Sequence, residues 1–205
     1  MPKMPEIKDV EALGDAVDML NMKCERLIDK KDYKEAIKCY DEMVKTFAPA
    51  YFMANYKKGL IYLGMGENEK AKECFENALR MSPNNSGMLI NLAFCEARMG
   101  QKGNARTLIQ KAVEKEPNEV IILLLAAILC YELGDKGEGK KYIDSAMKVS
   151  PRTTVDLWGI TVNGYLNDPD VSSEDKVELR AELAETKAYV EKIRVLAEAE
   201  KYKKK

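Results

Sequence analysis

The stretch Gly134-Asp135-Lys136-Gly137-Glu138-Gly139-Lys140-Lys141 has the spacing GxxxxGK, one residue short of a loop that cradles a nucleotide phosphate. That chemistry needs a strand before the loop to aim the backbone amides, and a serine or threonine after the lysine to hold Mg²⁺. Here the preceding residues read as a helix and position 141 is lysine, so a glycine-rich turn between two helices accounts for the run better. Asp168, Asp170 and Ser172 have the spacing that opens a calcium loop. The sixth place, however, is Ser173 where glycine is required, and the twelfth is Leu179 where a bidentate glutamate is required. A turn leading into a helix, with Ser172 and Asp175 as cap partners, fits those residues better.

The chain has no histidine, which removes the commonest general base and the commonest metal ligand together. Its five cysteines (Cys24, Cys39, Cys74, Cys95 and Cys130) form no CxxC pair. An odd number at wide spacing fits buried, reduced thiols in a cytoplasmic protein. No thiol or carboxylate pair has an identifiable activating neighbour, so the expectation is a protein that is not an enzyme and takes no cofactor, metal or small-molecule substrate. A formal net charge of −1 supplies no field to draw the chain to nucleic acid or acidic lipid. The longest apolar run, "VIILLLAAILCYEL", falls short of the ~18 residues of a membrane span and is flanked and interrupted by glutamate. The first fifteen residues lack an apolar core of signal-peptide length. These features together make the cytoplasm the expected location.

The elements that must carry these residues show themselves through a period. Prolines fall at 49, 83, 117 and 151, each 34 residues after the last. Three segments along this period can be stacked: "YFMANYKKGLIYLGMGENEKAKECFENALRMSPN", "SGMLINLAFCEARMGQKGNARTLIQKAVEKEPNE" and "VIILLLAAILCYELGDKGEGKKYIDSAMKVSPRT". Each has an apolar helical stretch, a glycine-containing break, a second amphipathic stretch and a proline. Glycine supplies the positive φ of the inter-helix turn, and proline ends the second helix by lacking an N–H. Small residues at 59, 93 and 127 let the two helices of a hairpin approach, while 75, 109 and 143 put bulk into the next interface. A hairpin of this kind buries its apolar face only by stacking on neighbours.

The pattern resembles the tetratricopeptide repeat family. Gly59, Tyr62, Ala71, Phe75, Ala78 and Pro83 match its sparse consensus in one unit. Ala93, Ala105, Ile109, Ala112 and Pro117 match in the next, and Ala127, Ile143, Ala146 and Pro151 in the one after. An earlier unit is recognisable by Ala36, Tyr40 and Met43, one residue out of phase with Pro49. The family's tryptophan is replaced by Asn55, Leu89 or Leu123, and Gly139 stands where alanine is usual. The resemblance implies an all-α fold, a right-handed α-solenoid of stacked helix-turn-helix hairpins over residues 1–171. Its repeats would lie near 17–50, 52–85, 86–119 and 120–153, with the first helix of a fifth unit at 154–166.

Before the repeats, Val10, Leu13, Val17, Leu20, Cys24 and Leu27 recur at intervals of three and four, which predicts one helix from about 7 to 30. Beyond them, residues 172–205 are expected to form a long C-terminal helix with a basic tail. Leu179, Leu183, Val190 and Ile193 make a stripe along it suited to capping the stack, to self-association as a homodimer, or to closing over the protein's own groove.

In the family the first helix of each repeat lines a concave groove that holds a peptide or partner helix. The resemblance implies that the groove-lining residues here are Met53, Tyr56, Lys57, Ile90, Asn91, Phe94, Leu124, Ile128, Tyr131, Trp158 and Val162. The lysines, arginine and asparagines with which one subclass grips a C-terminal carboxylate are absent apart from Asn91, so that mode is not expected. The function implied is a protein–protein interaction scaffold whose partner is an apolar or amphipathic segment of another protein. The alternative is a self-assembling protein whose last helix dimerises or fills its own groove.

Overall fold

The structure is a computed structural model in which residues 10–47, 50–167, 173–174, 176–177, 179–181 and 183–188 are described. Among these residues the chain is built of helices joined by short turns: α1 (Val10–Asp29), α2 (Tyr33–Thr46), α3 (Tyr51–Gly64), α4 (Asn68–Met81), α5 (Ser86–Arg98), α6 (Lys102–Lys115), α7 (Val120–Glu132), α8 (Lys136–Val149) and α9 (Pro151–Leu166). Further helical residues lie at 173–174, 176–177, 179–181 and 183–188. The chain divides into two compact units, Met1–Met99 and Gly100–Lys205. The first holds α1 to α5, and the second holds α6 to α9 with the helical residues beyond.

The turns inside the hairpins repeat one solution. Gly66, Gly100 and Gly134 all sit at positive φ (74°, 77° and 83°) at intervals of 34 residues. This is the left-handed residue that ends a helix so that the next can fold back. Glu67 N–H then donates to the Tyr62 carbonyl at 2.9 Å, and Asp135 N–H to the Cys130 carbonyl at 2.7 Å. The first hairpin closes in the same way, Asp32 N–H to the Leu27 carbonyl at 2.9 Å, but its left-handed residue is Lys31, at φ 60°. Gly134 to Lys141 is therefore the turn between α7 and α8 and the start of α8, as the residues around it require.

In the first unit α1 packs on α2 and α3 on α4. Gly59 sits so close to Phe75 that an added Cβ would lie 2.5 Å from the ring, which is why the first helix of that hairpin is pinched to glycine. Tyr40 and Met43 are fully buried in one cluster with Cys24, Ala36 and Ala54, and Phe75 is fully buried in another with Ala71, Ala78 and Cys95. Asn55, where the family places tryptophan, is 4% exposed and turns its amide inward, donating to the Tyr51 carbonyl at 2.8 Å. Glu96 is buried to the same degree, and its carboxylate meets Lys72 Nζ at 2.7 Å.

In the second unit α7 is apolar on every side, and α6, α8 and α9 all pack against it. Gly139 on α8 faces Tyr131, whose ring fills the room an alanine would need: a Cβ there would lie 3.0 Å from the ring and 3.1 Å from the Ala127 carbonyl oxygen. Two sequence expectations are corrected here. Pro151 lies not in an inter-repeat loop but at the first position of α9, directly after Ser150, so α9 begins three residues before the expected 154. Proline suits that position because its fixed φ is already helical and its missing N–H has no helical partner there. Ser150 closes the start of the helix: its hydroxyl donates to Thr153 Oγ1 (2.7 Å) and its carbonyl accepts from Thr154 Oγ1 (2.7 Å).

The cysteines bring the second correction. Cys74, Cys95 and Cys130 are buried free thiols as expected, but Cys24 on α1 and Cys39 on α2 are joined in a disulfide. Neither residue's spacing announces the pairing. It forms because the packing of α1 on α2 brings the two Cα atoms to 5.6 Å.

Candidate partner-binding face

The expected groove residues of the first unit lie on α3 and α5, with α1 alongside. Met53, Tyr56, Lys57, Asn91 and Phe94 are all partly exposed, whereas Ile90 is fully buried. Tyr56 leans on the core through Phe75, with ring centroids 6.5 Å apart and tilted by 48°. Asn91 finds no side-chain partner among the described residues, which leaves a donor and an acceptor available on an otherwise apolar surface. Leu60, one turn beyond Tyr56 on α3, is 36% exposed and extends that surface.

The α1 edge of this face is polar. Lys57 Nζ donates to Glu25 Oε1 at 2.7 Å, bridging α3 to α1. That hydrogen bond holds the Glu25 carboxyl below its ordinary value, against the opposing pull of burial. One turn earlier, Tyr40 O–H donates to Asn21 Oδ1 at 3.3 Å. Burial, aided by the nearby Glu25 charge, pushes the Tyr40 phenol up to about 12, so it remains a donor across the working range. Behind the face, Lys58 is fixed to Asp41 at 2.5 Å. Sequence reasoning placed Lys57 on the groove but did not see that Glu25 neutralises it.

The second unit treats the equivalent positions differently. Leu124 is 0% exposed, Ile128 1%, Tyr131 4%, Trp158 0% and Val162 0%. Side chains at such burial meet no partner unless the unit opens, so the sequence assignment of these five to an accessible groove is corrected: they pack as core. For α7 the reason is that α6, α8 and α9 crowd it. On α9, Thr154, Trp158 and Val162, four residues apart, form the buried stripe, and Ile160 is left 69% exposed. Trp158 Nε1 is buried and has no hydrogen-bond partner among the described residues.

Of the C-terminal stripe, Leu179 is fully buried within the second unit and Leu183 is half-buried, its Cδ1 4.0 Å from where a Gly159 Cβ would stand. Glu185 lies 3.5 Å from Lys140 on α8. Val190 and Ile193 fall outside the described residues, as do the calcium-loop positions Asp168, Asp170 and Ser172. Among the described residues no group of three histidine, cysteine or acidic side chains is placed to hold a metal. No described helix is long and apolar enough to cross a membrane.

Residues 62–128 match the tetratricopeptide repeat family model. No curated protein matches the chain. Among solved structures, a truncated MamA from Desulfovibrio magneticus RS-1 is similar at 21% identity, over 65% of this chain and 75% of that one, with a TM-score of 0.55. YrrB, described as a TPR protein with an unusual peptide-binding site, is similar at 20% identity over 87% and 93%, with a TM-score of 0.52. A tetratricopeptide repeat protein from Parabacteroides merdae ATCC 43184 reaches a TM-score of 0.57 at 15% identity, over 86% and 76%. At these identities the likeness is one of fold. The 34-residue period and the glycine-closed hairpins agree with the family match: residues 62–128 carry tetratricopeptide repeats, and the described helices have the fold of tetratricopeptide repeat proteins.

Proposed function

We propose that this protein is a non-catalytic scaffold that binds an apolar or amphipathic segment of a partner protein on the inner face of its first unit. Met53, Tyr56 and Phe94 supply the apolar contact and Asn91 pairs with a backbone group of the ligand. The contrast between these half-exposed side chains and their fully buried counterparts in the second unit carries the reading. Apolar side chains left partly open together usually mark an interface. A peptide-binding site is also named for YrrB, whose fold is similar. The absence of histidine from the sequence and of a described metal-holding cluster supports a role without catalysis, and the cytoplasm is the location inferred.

The test is capture from a native lysate by wild type and by a Met53→Glu/Phe94→Glu variant whose helical circular dichroism is unchanged. A protein held by wild type and lost by the variant establishes the face as the working surface. Equal capture by both removes this reading.

A second reading is favoured for the C-terminal segment. With Leu179 buried and Glu185 near Lys140, it closes on its own second unit instead of pairing two chains. Light scattering distinguishes the two: a monomer mass at micromolar concentration supports closure, and a dimer mass supports self-association.

A further inference from the structure

The described part of α1 is the most shallowly docked of the hairpin-forming first helices. Of its side chains from Gly14 to Asp29, Cys24 alone is fully buried, whereas α3 buries Ala54, Asn55, Gly59 and Ile61. That one buried residue is also the one covalently tied, to Cys39 of α2, with the two Cα atoms 5.6 Å apart. The tie sits in the turn that positions both polar links of α1, Asn21 to Tyr40 and Glu25 to Lys57. The other three thiols lie on α4, α5 and α7. Burial raises each of them, Cys95 and Cys130 to about 12, so they are poor partners for exchange with this pair.

We propose that the Cys24–Cys39 bond is a redox-operated latch that fastens α1 to the rest of the first unit. In the open form α1 keeps its half-buried apolar side chains and, among the described residues, the polar contacts of Asn21 and Glu25, and with so little of it buried it opens locally at low cost. The bond closes by exchange with a low-molecular-weight disulfide such as oxidised glutathione. One cysteine thiolate attacks that disulfide and releases one thiol; the second cysteine then attacks the mixed disulfide and releases the other. Two protein thiols become one disulfide, and the two protons and two electrons leave on two molecules of reduced glutathione. Excess thiol runs the exchange backward, reaching the buried sulfurs through the opened helix. Disulfides in a reducing compartment are characteristically of this transient, sensing kind. Closing the latch holds Asn21 and Glu25 at the polar edge of the inner face, but the latch stands whether or not that face binds a partner.

The test compares the full-length wild type poised in oxidised and in reduced glutathione buffers. The readouts are alkylation in denaturant, which counts free thiols, and hydrogen exchange followed by mass spectrometry. The oxidised form is expected to present three alkylatable cysteines and the reduced form five. Amides of 14–29 are expected to exchange at least about tenfold faster when reduced, with those of α5 unchanged. Cys39→Ser, which has four cysteines, should show the α1 exchange of reduced wild type in either buffer. Five alkylatable thiols of wild type in the oxidised buffer, equal α1 exchange in the two forms, or a redox change in α1 exchange that survives Cys39→Ser would each overturn the proposal.

Discussion

Lys57 on α3 and Glu25 on α1 form an ion pair, Nζ to Oε1 at 2.7 Å, that joins the first helices of two successive hairpins. Their side chains are 29% and 42% exposed, so the pair is worth at most about 1 kcal/mol. Because Glu25 has its carboxyl lowered from 4.5 by Lys57, the folded state binds that proton less readily than the unfolded state does. The stabilisation is complete above the ordinary value of 4.5 and drains away as pH falls through the lowered one. Glu25→Gln should therefore be less stable than wild type at pH 7, and the gap should close on acidification. Urea titrations at pH 7 and pH 3 check this, and a gap that persists at pH 3 would show that packing, not charge, is at stake.

Lys31 occupies the left-handed turn position that glycine holds in the other hairpins. A side chain there costs about 1 kcal/mol, so Lys31→Gly should raise the urea midpoint by a corresponding amount. Gly66→Lys should lower it. If the two substitutions shift stability in the same direction, the turn conformation is not what governs these positions.

Gly59 and Gly139 are both helical glycines, and alanine gains about 1 kcal/mol of helix propensity at such sites. The Gly59 site has no room, with a Cβ 2.5 Å from the Phe75 ring, whereas at Gly139 the contacts are 3.0 and 3.1 Å. Gly59→Ala should destabilise by roughly 1–3 kcal/mol net of the propensity gain. Gly139→Ala should cost less than Gly59→Ala, because the Tyr131 ring and the Ala127 carbonyl need to yield by only a few tenths of an ångström. Thermal melts of the two variants side by side test the order.

Leu124 and Phe94 were indistinguishable as groove anchors in the sequence, and the structure separates them: one is 0% exposed, the other half-buried. Leu124→Glu places an unpaired charge in the second unit and should cost several kcal/mol, with loss of helical signal on gentle heating. Phe94→Glu should retain wild-type circular dichroism at 25 °C. Equal melting of both variants would place Leu124 at the surface.

Cys95 and Cys130, pushed up to about 12 by burial, hold almost no thiolate at pH 8. Native alkylation with iodoacetamide at that pH should leave both unmodified over an hour, and denaturant should expose them at once. Rapid native labelling would mean that α5 or α7 opens readily.

Much of the fold was legible because the repeat advertises itself in residues with narrow uses. Glycines 66, 100 and 134 recur where the backbone must turn left-handed, and Gly59 faces Phe75 at the spacing that pinches two helices together. The misreadings occurred where one residue type serves two purposes. Pro151 fits equally as the stop of α8 and as the first residue of α9, and only the packed structure selects the second. For α7 the sequence carries no phase at all, since a helix apolar on every side has no polar face from which to infer which side is open. Cys24 and Cys39 could be paired only once the separation of α1 from α2 was known.

The linker between α4 and α5 is four residues, Ser82 to Asn85, and that between α6 and α7 is also four, Glu116 to Glu119; between α8 and α9 there is only Ser150. A 34-residue block duplicated at either long linker would hand the following helix the same entry it has now, so the array can grow from within by unequal copying. The joint at Ser150 cannot pass on that entry. Of these joints, the two four-residue linkers before α8 therefore admit an added repeat, by evolution or by design, and the joint between α8 and α9 does not.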